Sequence, residues 1–355
     1  MALSKIIEAD VIEIANGISS DLRQLEGATL LISGGAGFIG AYFLDVIEYA
    51  NTHILNNPCQ VYCIDNYITG LPGRIQHLSK SSNIKIINND ICAPIAIKDD
   101  VNFIIHAAGI ASPTHYRLHP IETIDAAVNG LRNLLDFAQK GNIRSFLFFS
   151  SSEVYGNPTP DNIPAPETYN GNVSFTGPRA CYDESKRFGE TLCATHRRLF
   201  SMPIKIVRPG NIYGPGMRLD DRRAIPDFIN NALRGEDIVI LSDGKPTRCF
   251  CYITDAMIGF FKILFSEENS EFNISNDEQE ITMYDLAKEV IHVAKNEKLG
   301  VKFQESSDPE YLTDNPNRRH LDLTKARTIL GYSPKVSLRQ GLARTLAWSK
   351  EESRL

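Results

Sequence analysis

The sequence predicts an α/β protein with a doubly wound parallel sheet and a smaller C-terminal substrate lobe. Between residues 28 and 214, short apolar runs alternate with longer amphipathic segments, which is the pattern of right-handed βαβ units. A glycine-rich turn follows the first apolar run, where a Rossmann-type sheet binds phosphate. The 355 residues, 43% of them hydrophobic, are enough for one large core and an appended lobe.

Composition and charge exclude several classes of function. Lys and Arg number 37 against 43 Asp and Glu, a formal net charge of −6, which disfavours nucleic acid and anionic membranes as partners. Apolar runs are too short for a membrane span, and acidic residues interrupt the N-terminus, where a secretory signal needs an apolar core. Seven cysteines without a disulfide or metal-ligand pattern predict a reduced, cytoplasmic protein without a metal site.

The succession of segments predicts how the chain divides. Ile6, Val11, Ile14 and Ile18 recur at near-helical spacing before the first strand, which predicts a helical N-terminal extension. Later segments are shorter and less regular, and we assign them to the smaller lobe. The predicted divisions are an extension at 1–27, a sheet domain at 28–214 that is completed by about 246–268, and a lobe built from 215–245 and 269–355.

A glycine loop is the first candidate functional motif. Gly34, Gly37 and Gly40 stand in the run GGAGFIG directly after the first predicted strand. The first glycine allows the tight turn, the second lets backbone amides approach a pyrophosphate, and the third lets the helix pack on the strand. Phe38 and Ile39 open that helix, whose free N–H groups attract an anion. The strand-to-helix context makes a dinucleotide site the better interpretation than a plain glycine-rich turn.

Strand-end carboxylates predict which dinucleotide binds. Asp65 closes the second predicted strand, where a carboxylate accepts hydrogen bonds from the adenosine ribose hydroxyls and repels a 2′-phosphate, so that NAD is favoured over NADP. Asp90 follows the third strand and is either an acceptor for the adenine amino group or an ordinary strand-end carboxylate. The residues that complete the predicted NAD site adjoin these positions: Asn66, Ile91, Ala107 and Ala108.

A tyrosine and a lysine form the predicted catalytic pair. Tyr182 and Lys186 are four residues apart and therefore share one face of a helix. A phenol with a pKa of about 10 is a poor base, but an adjacent ammonium and an oxidised nicotinamide both favour the phenolate. Lys186 also suits the nicotinamide ribose, and a hydroxyl from the run Ser150–Ser152 completes the hydrogen bonds to a substrate oxygen. This chemistry removes an alcohol proton while hydride passes to NAD.

In this order the motifs resemble those of the extended short-chain dehydrogenase/reductases that act on nucleotide sugars. Over roughly residues 28–345 the sequence is most similar to UDP-glucuronate decarboxylases, which are UDP-xylose synthases. The resemblance implies a UDP-linked sugar as substrate, tightly bound NAD, and a homodimer built from the helix before Gly141 and the helix that carries Tyr182. The most specific stretches are GGAGFIG, DNYITG, ASPTHY, SSSEVYGNP, GPRACYDESKR, YGPGM and DNPNRRHLDLTKARTILGYSP.

The resemblance also implies roles around the sugar. Ser151 is the hydroxyl that acts with Tyr182, and Glu153 lies near the sugar, whereas Ser152 stands where related 4,6-dehydratases carry an aspartic acid. A serine hydroxyl is too weak an acid to replace that aspartic acid, which favours decarboxylation. The other predicted substrate-binding residues match positions that line the nucleotide-sugar cleft of the family; with Ser152 they are Ser112, Arg179, Asn211, Arg223, Arg248 and Arg319.

The implied reaction has three steps. Tyr182 accepts the C4 hydroxyl proton as hydride passes to NAD, carbon dioxide leaves from the carbon next to the new ketone, and C4 is reduced again. Two other functions remain open, namely a UDP-sugar 4-epimerase or nucleotide-sugar dehydratase, and a non-catalytic NAD-binding protein. One departure from the family favours the non-catalytic alternative. Ala127 and Leu131 stand where the family usually carries Asn and Thr around Gly130.

Overall fold

Strands of the protein form one large and two small sheets. The structure is a computed structural model that describes residues 3–352. Its strands are β1 (Thr29–Ser33), β2 (Gln60–Asp65), β3 (Ile84–Asn88), β4 (Phe103–His106), β5 (Ser145–Phe149), β6 (Ile204–Pro209), β7 (Asn211–Tyr213), β8 (Ile238–Ile240), β9 (Thr247–Tyr252), β10 (Glu271–Ile274), β11 (Glu280–Thr282), β12 (Val301–Phe303) and β13 (Arg318–Arg319).

Helices connect these strands and cover both faces of the large sheet. They are α1 (Lys5–Gly17), α2 (Ser19–Leu22), α3 (Phe38–His53), α4 (Pro72–Ile75), α5 (Pro113–Leu118), α6 (Pro120–Asp125), α7 (Leu131–Gln139), α8 (Ala180–Phe200), α9 (Ala224–Arg234), α10 (Ile253–Phe265), α11 (Met283–Ala294), α12 (Thr324–Leu330) and α13 (Leu338–Glu352). A π-helical turn, Ala126–Gly130, joins α6 to α7. No helix within residues 3–352 is both long enough and apolar enough to cross a membrane.

The large sheet has seven parallel strands in the order β10-β6-β5-β4-β1-β2-β3. The strand order reverses between β1 and β4, and ligands bind at such a switch point in doubly wound folds. The predicted fold class is confirmed. One detail differs, because β10 lies in a segment that the sequence assigned to the lobe but pairs with β6. The apolar helix α10 brings the chain back across the sheet to that edge.

Alternate residues of the central strands face two hydrophobic clusters. In β1, Leu30 and Ile32 pack into the cluster that includes α1, α3 and α10, whereas Leu31 packs with α7. Period-two alternation between two buried faces requires nearly every strand residue to be apolar, which is why the strand segments are continuous apolar runs in the sequence.

The two small sheets form the framework of the lobe. In one of them, β9 lies between β11 and β13 and also pairs with β7, while β8 and β12 form the other. Residues of the lobe and residues that follow β1, β4, β5 and β6 line one cavity, so the lobe faces the carboxyl edge of the large sheet. The segments that follow these four strands contain most of the predicted site residues.

Candidate active site

Two adjoining cavities open at the carboxyl edge of the large sheet. The larger, here called the cleft, has a volume of about 610 Å³ and runs between the large sheet and the lobe. The smaller, the side pocket, has about 150 Å³ and lies beyond the ends of β2 and β3. Gly34, Gly37 and Gly109 line both cavities, so the two are continuous. Every predicted site residue lines one of them except Lys186, which is buried beside Gly109.

The glycine loop has the geometry that a dinucleotide requires. Gly34 has a φ of +80°, and a Cβ there would lie 2.5 Å from the amide nitrogen of Ala108. A Cβ at Gly40 would lie 2.1 Å from the carbonyl oxygen of Gly34, so only glycine lets α3 approach the strand this closely. Because α3 begins at Phe38, its first N–H groups face the point where the cleft and the side pocket meet.

The side pocket is acidic, as the prediction of NAD requires. Asp65 is buried at the end of β2, and its two carboxylate oxygens each accept one backbone N–H, from Ala36 and Tyr67 at 2.8 Å. Burial raises the pKa of Asp65, but each oxygen keeps a lone pair for a ribose hydroxyl. Asp90 accepts from Asn66 and from the backbone of Cys92, and the latter bond chiefly holds its pKa below the usual value.

Tyr182 and Lys186 lie on one face of α8, as their spacing predicts. The Lys186 ammonium donates to the carbonyl of Phe149 at 2.7 Å and lies 5.8 Å from the centre of the Tyr182 ring. Burial lowers the pKa of Lys186 to about 8. It raises the pKa of Tyr182 to about 12, against the lowering effect of the hydrogen bond with Ser151. Burial outweighs the lowering effects of Ser151 and of the charge of Arg223, while the lowering expected from Lys186 stays a prediction. A bound cationic nicotinamide would add to the stabilisation of a phenolate.

Tyr116 is a site residue that sequence reasoning missed. Its ring stacks on that of Tyr182 with centroids 5.3 Å apart and planes 9° from parallel. The side chain lines the cleft, and its hydroxyl has no hydrogen-bond partner within residues 3–352. The stack fixes the orientation of the Tyr182 phenol and keeps water from one face of it. The motif ASPTHY contains this residue and was its only signal in the sequence.

Glu153 sits in a cage of arginines. Arg179 donates to Oε2 of Glu153 at 2.5 Å and Arg319 to the same atom at 2.6 Å. Burial acts to raise the pKa of Glu153, but Arg179, Arg319 and Arg248 outweigh it, so the carboxyl stays ionised. Burial and the nearby Glu153 raise the pKa of Asp183, which lies 3.5 Å from Arg179, to about 7.

Arg248 lines the cleft but holds the lobe together with most of its donors. It donates to Asn315 at 3.0 Å and to the carbonyl of Pro316 at 2.7 Å. Burial and the neighbouring Arg319 lower its pKa to about 9. Asn211 donates to the carbonyl of Cys249 at 3.1 Å. A direct contact of either residue with the nucleotide sugar remains a prediction.

Ser112 and Arg223 meet at the segment that follows β7. Ser112 donates to the carbonyl of Asp221 at 2.7 Å, and Arg223 pairs with the carboxylate of the same residue. The positive charge of Arg223 is close enough to Tyr182 to act on its pKa. These contacts bring Ser112, on the sheet side, and Arg223, on the lobe side, to one wall of the cleft.

Ala127, which replaces the usual Asn of the family, lies in the π-helical turn. The carbonyl of the preceding Ala126 accepts a hydrogen bond from Nε2 of His106 at 2.9 Å. The other ring nitrogen, Nδ1, lies 2.7 Å from the Ser33 hydroxyl and must accept its proton, because burial lowers the pKa of His106 to about 3 and keeps the ring neutral. The turn is thus tied to β1 and β4 without the Asn side chain.

The comparisons with known proteins agree with this geometry. Residues 30–275 match the NAD dependent epimerase/dehydratase family. The chain is 37% identical over 317 residues to UDP-glucuronic acid decarboxylase 2 of Arabidopsis thaliana, which covers 89% of this chain and 67% of the relative. It is 38% identical over 313 residues to UDP-glucuronic acid decarboxylase 5 of the same plant, which covers 88% of this chain and 86% of the relative.

Solved structures share the fold over nearly the whole chain. One is UDP-glucuronic acid 4-epimerase from Bacillus cereus in complex with NAD, which is 25% identical, has a TM-score of 0.75, and covers 91% of this chain and 96% of the other. The predicted resemblance to nucleotide-sugar enzymes is confirmed by these matches.

Proposed function

This chain belongs to the NAD dependent epimerase/dehydratase family, and from that premise we propose that it is an NAD-dependent decarboxylase of UDP-glucuronate. The identities of 37% and 38% to decarboxylases support this choice within the family. The observation that carries the proposal is the cage around Glu153. Ser152 lines the cleft where dehydration needs a neutral carboxylic acid, and the neighbouring Glu153 is held ionised by Arg179 and Arg319, so neither residue supplies that acid.

The residues that line the cleft and the side pocket fit NAD. The glycine loop would hold the pyrophosphate, Asp65 the adenosine ribose, and Asp90 the adenine end, while Lys186 would reach the nicotinamide ribose. NAD, when bound, supplies the acceptor and the donor of hydride for C4 of the sugar. Exclusion of water by the Tyr116 stack keeps the reacting face dry.

The side chains supply the proton chemistry. Tyr182 takes the proton of the C4 hydroxyl while Ser151 hydrogen-bonds the same oxygen, and Tyr182 returns that proton at the end of the cycle. The sugar ketone at C4 is β to the carboxylate on C5, so the electrons of the breaking carbon–carbon bond move into the ketone as carbon dioxide leaves. The enolate that remains takes a proton from solvent at C5, which restores the ketone before C4 is reduced. The positive charge of Arg179 and Arg319, shared with Glu153, stabilises negative charge that develops on the sugar.

Incubation with UDP-glucuronate and NAD tests the proposal. We expect release of carbon dioxide and formation of UDP-xylose. A Tyr182→Phe variant should abolish turnover but retain NAD, since the phenol oxygen alone is removed. Formation of UDP-galacturonate without carbon dioxide would establish the 4-epimerase instead, and loss of water without loss of carbon dioxide would establish a dehydratase. A folded protein that binds NAD but turns over no nucleotide sugar would be a non-catalytic member.

We also propose a homodimer in the cytoplasm. The resemblance implies an interface on α7 and α8. On α7, the apolar side chains of Leu134 and Leu135 are fully buried against the large sheet and do not offer a surface to a partner. Exposed apolar side chains near α8 include Leu118 on α5, at 68% exposure, Ile121 on α6, at 64%, and Phe188 on α8. Since α6 packs on α8, we propose that these helices meet a second copy.

A further inference from the structure

Helix α1 lies outside the matched family region but is connected to a wall of the cleft through Tyr42 on α3. The match begins at residue 30, whereas α1 ends at Gly17 and packs against α3, α10 and α13. Its Asp10 side chain is 1% exposed, although a buried carboxylate is costly unless it is well partnered. An amphipathic helix that served only to cover the core would present an apolar residue at this position.

Asp10 connects three separate parts of the fold. Its Oδ2 accepts a hydrogen bond from the Tyr252 hydroxyl at 2.7 Å and lies 3.2 Å from the Tyr42 hydroxyl. Its Oδ1 lies 3.2 Å from the guanidinium of Arg344 on α13. Tyr42 is on α3, one turn beyond the start of that helix at the glycine loop. Its hydroxyl also lies 3.1 Å from the carbonyl oxygen of Pro215.

Pro215 belongs to a segment that forms one wall of the cleft. We call residues 213–218 the cleft loop, since Tyr213, Gly216, Met217 and Arg218 all line the cleft. The other side-chain hydrogen bonds of the loop within residues 3–352 are at its two ends, where Tyr213 donates to the carbonyl of Leu338 and Arg218 to that of Thr69. In the middle of the loop, Met217 packs into the hydrophobic core, and Tyr42 adds a hydrogen bond to Pro215.

The hydrogen bond from Tyr42 to the carbonyl of Pro215 depends on whether Asp10 is protonated. Tyr42 has one hydroxyl proton, and the carbonyl of Pro215 can only accept. When Asp10 is ionised, its charge attracts the Tyr42 proton more strongly than a neutral carbonyl does, and Pro215 is left without a donor. When Asp10 carries a proton, it donates to the oxygen of Tyr42, and Tyr42 donates to Pro215.

We propose that Asp10 is a positioning residue for the nucleotide-sugar cleft and acts through Tyr42 on the cleft loop. It contacts neither the cleft nor the side pocket, so its effect is on the shape of the wall and not on the chemistry. The inference goes beyond the proposed function and rests on it only in the choice of UDP as a binding probe.

Charged and titratable groups face Asp10 from every element packed around it. Burial is the main cause that raises its pKa, to about 6, and hydrogen bonds from the two tyrosines and the charge of Arg344 act in the opposite direction. The group therefore titrates within the range of an ordinary assay. The facing groups are Tyr42 on α3 with Arg74 over its ring, Tyr252 at the end of β9, Arg344 on α13, Glu13 on α1, and Asp255 on α10 beyond Glu13.

The test uses two variants that fix the hydrogen-bond pattern. In Asp10→Asn, with the amide nitrogen in the place of Oδ2, the amide donates to the oxygens of Tyr42 and Tyr252 while its own oxygen accepts from Arg344. Tyr42 then keeps its proton for the carbonyl of Pro215 at every pH, as it does when Asp10 is protonated. In Tyr42→Phe the Pro215 carbonyl has no donor at any pH. Glu13→Gln is the matched control. Glu13 lies on the same helix as Asp10 and pairs with Arg344 and Thr254, but it does not contact Tyr42.

Two measurements between pH 5 and 8 follow, namely UDP affinity by calorimetry and peptide-level hydrogen exchange of the cleft loop relative to the other segments. For the wild type we expect UDP affinity to fall about two- to tenfold as pH rises through about 6, the equivalent of one hydrogen bond, with faster exchange of the loop. Asp10→Asn should keep the high UDP affinity and Tyr42→Phe the low affinity at every pH. Glu13→Gln should show the wild-type transition at a lower pH, because the charge of Glu13 acts to raise the pKa of Asp10.

The proposal is overturned if the wild type and Asp10→Asn change in parallel with pH, in UDP affinity and in loop exchange. It is also overturned if Tyr42→Phe leaves the exchange of residues 213–218 unchanged. If none of the proteins binds UDP, the proposed nucleotide-sugar function fails, but the exchange comparison still decides the role of Asp10. Far-ultraviolet circular dichroism establishes that each variant is folded before it is scored.

Discussion

Replacement of Gly40 by alanine is the sharpest test of the glycine loop. Alanine is favoured over glycine by about 1 kcal/mol inside a helix, so helix propensity alone predicts that the variant is more stable. The new Cβ, however, would lie 2.1 Å from the carbonyl oxygen of Gly34 and 2.8 Å from its carbonyl carbon. Since real Cβ atoms essentially never come closer than 3.0 Å to another heavy atom, the backbone must move by about 0.9 Å, the difference of the two distances.

Overpacking of this kind costs about 1–3 kcal/mol. The part of that free energy that strains the loop lowers NAD affinity, and the full amount corresponds to about a five- to 150-fold loss. Calorimetric titration with NAD and thermal unfolding measure the two effects. Gly73→Ala is the matched control, because Gly73 lies on α4 and its Cβ would have nothing within 4 Å. Wild-type affinity in Gly40→Ala, with unchanged unfolding, would refute the assignment of this loop to the pyrophosphate.

Three further outcomes are expected. Glu153→Gln leaves the charges of Arg179 and Arg319 without their partner, so urea unfolding should show a loss of about 3 kcal/mol, and turnover of UDP-glucuronate should fall; unchanged stability would mean that the cage is not a coupled unit. Leu118→Glu places a charge on the apolar surface of α5, so sedimentation should show monomers if the proposed dimer forms there, whereas an unaltered dimer would place the interface elsewhere. For Asp10 the pKa of about 6 in the folded protein exceeds the ordinary value of 3.8. The stabilisation of the folded state by the protonated carboxyl is therefore complete below about pH 4 and is lost as pH rises to about 6. Over that range the free energy of unfolding of the wild type should fall by about 3 kcal/mol relative to Asp10→Asn, and parallel curves would show that the carboxyl does not titrate there.

Local patterns predicted much of the fold and part of the site. The glycine loop and the four-residue spacing of Tyr182 and Lys186 are encoded within one turn or one strand-to-helix junction, so sequence alone places them. Confirmation of the fold class follows from the same regularity, since buried parallel strands must be continuous apolar runs. The burial that raises the pKa of Tyr182 could not be predicted, because it depends on packing that a linear sequence does not display.

Contacts between distant segments could not be predicted. Arg319 reaches Glu153 across 166 positions of the chain, and each arginine taken alone is indistinguishable from a surface charge. Tyr252 is 242 positions from Asp10, and nothing in the periodicity of α1 marks that aspartate as buried. The Asp10 anchor is a product of the tertiary fold, and so is the neutral His106 that ties the π-helical turn to the sheet.

The tether between Lys186 and Phe149 has a consequence for how catalytic losses are apportioned. The Lys186 ammonium donates a hydrogen bond to the carbonyl of Phe149, the last residue of β5, and Ser151 follows two residues later in the chain. Removing the amine therefore releases the hydroxyl as well, and the kinetic deficit of a Lys186 variant is the sum of a missing charge and a displaced neighbour. Only a thermodynamic cycle with single and double replacements of Lys186 and Ser151 separates the two, and we expect it to be strongly non-additive.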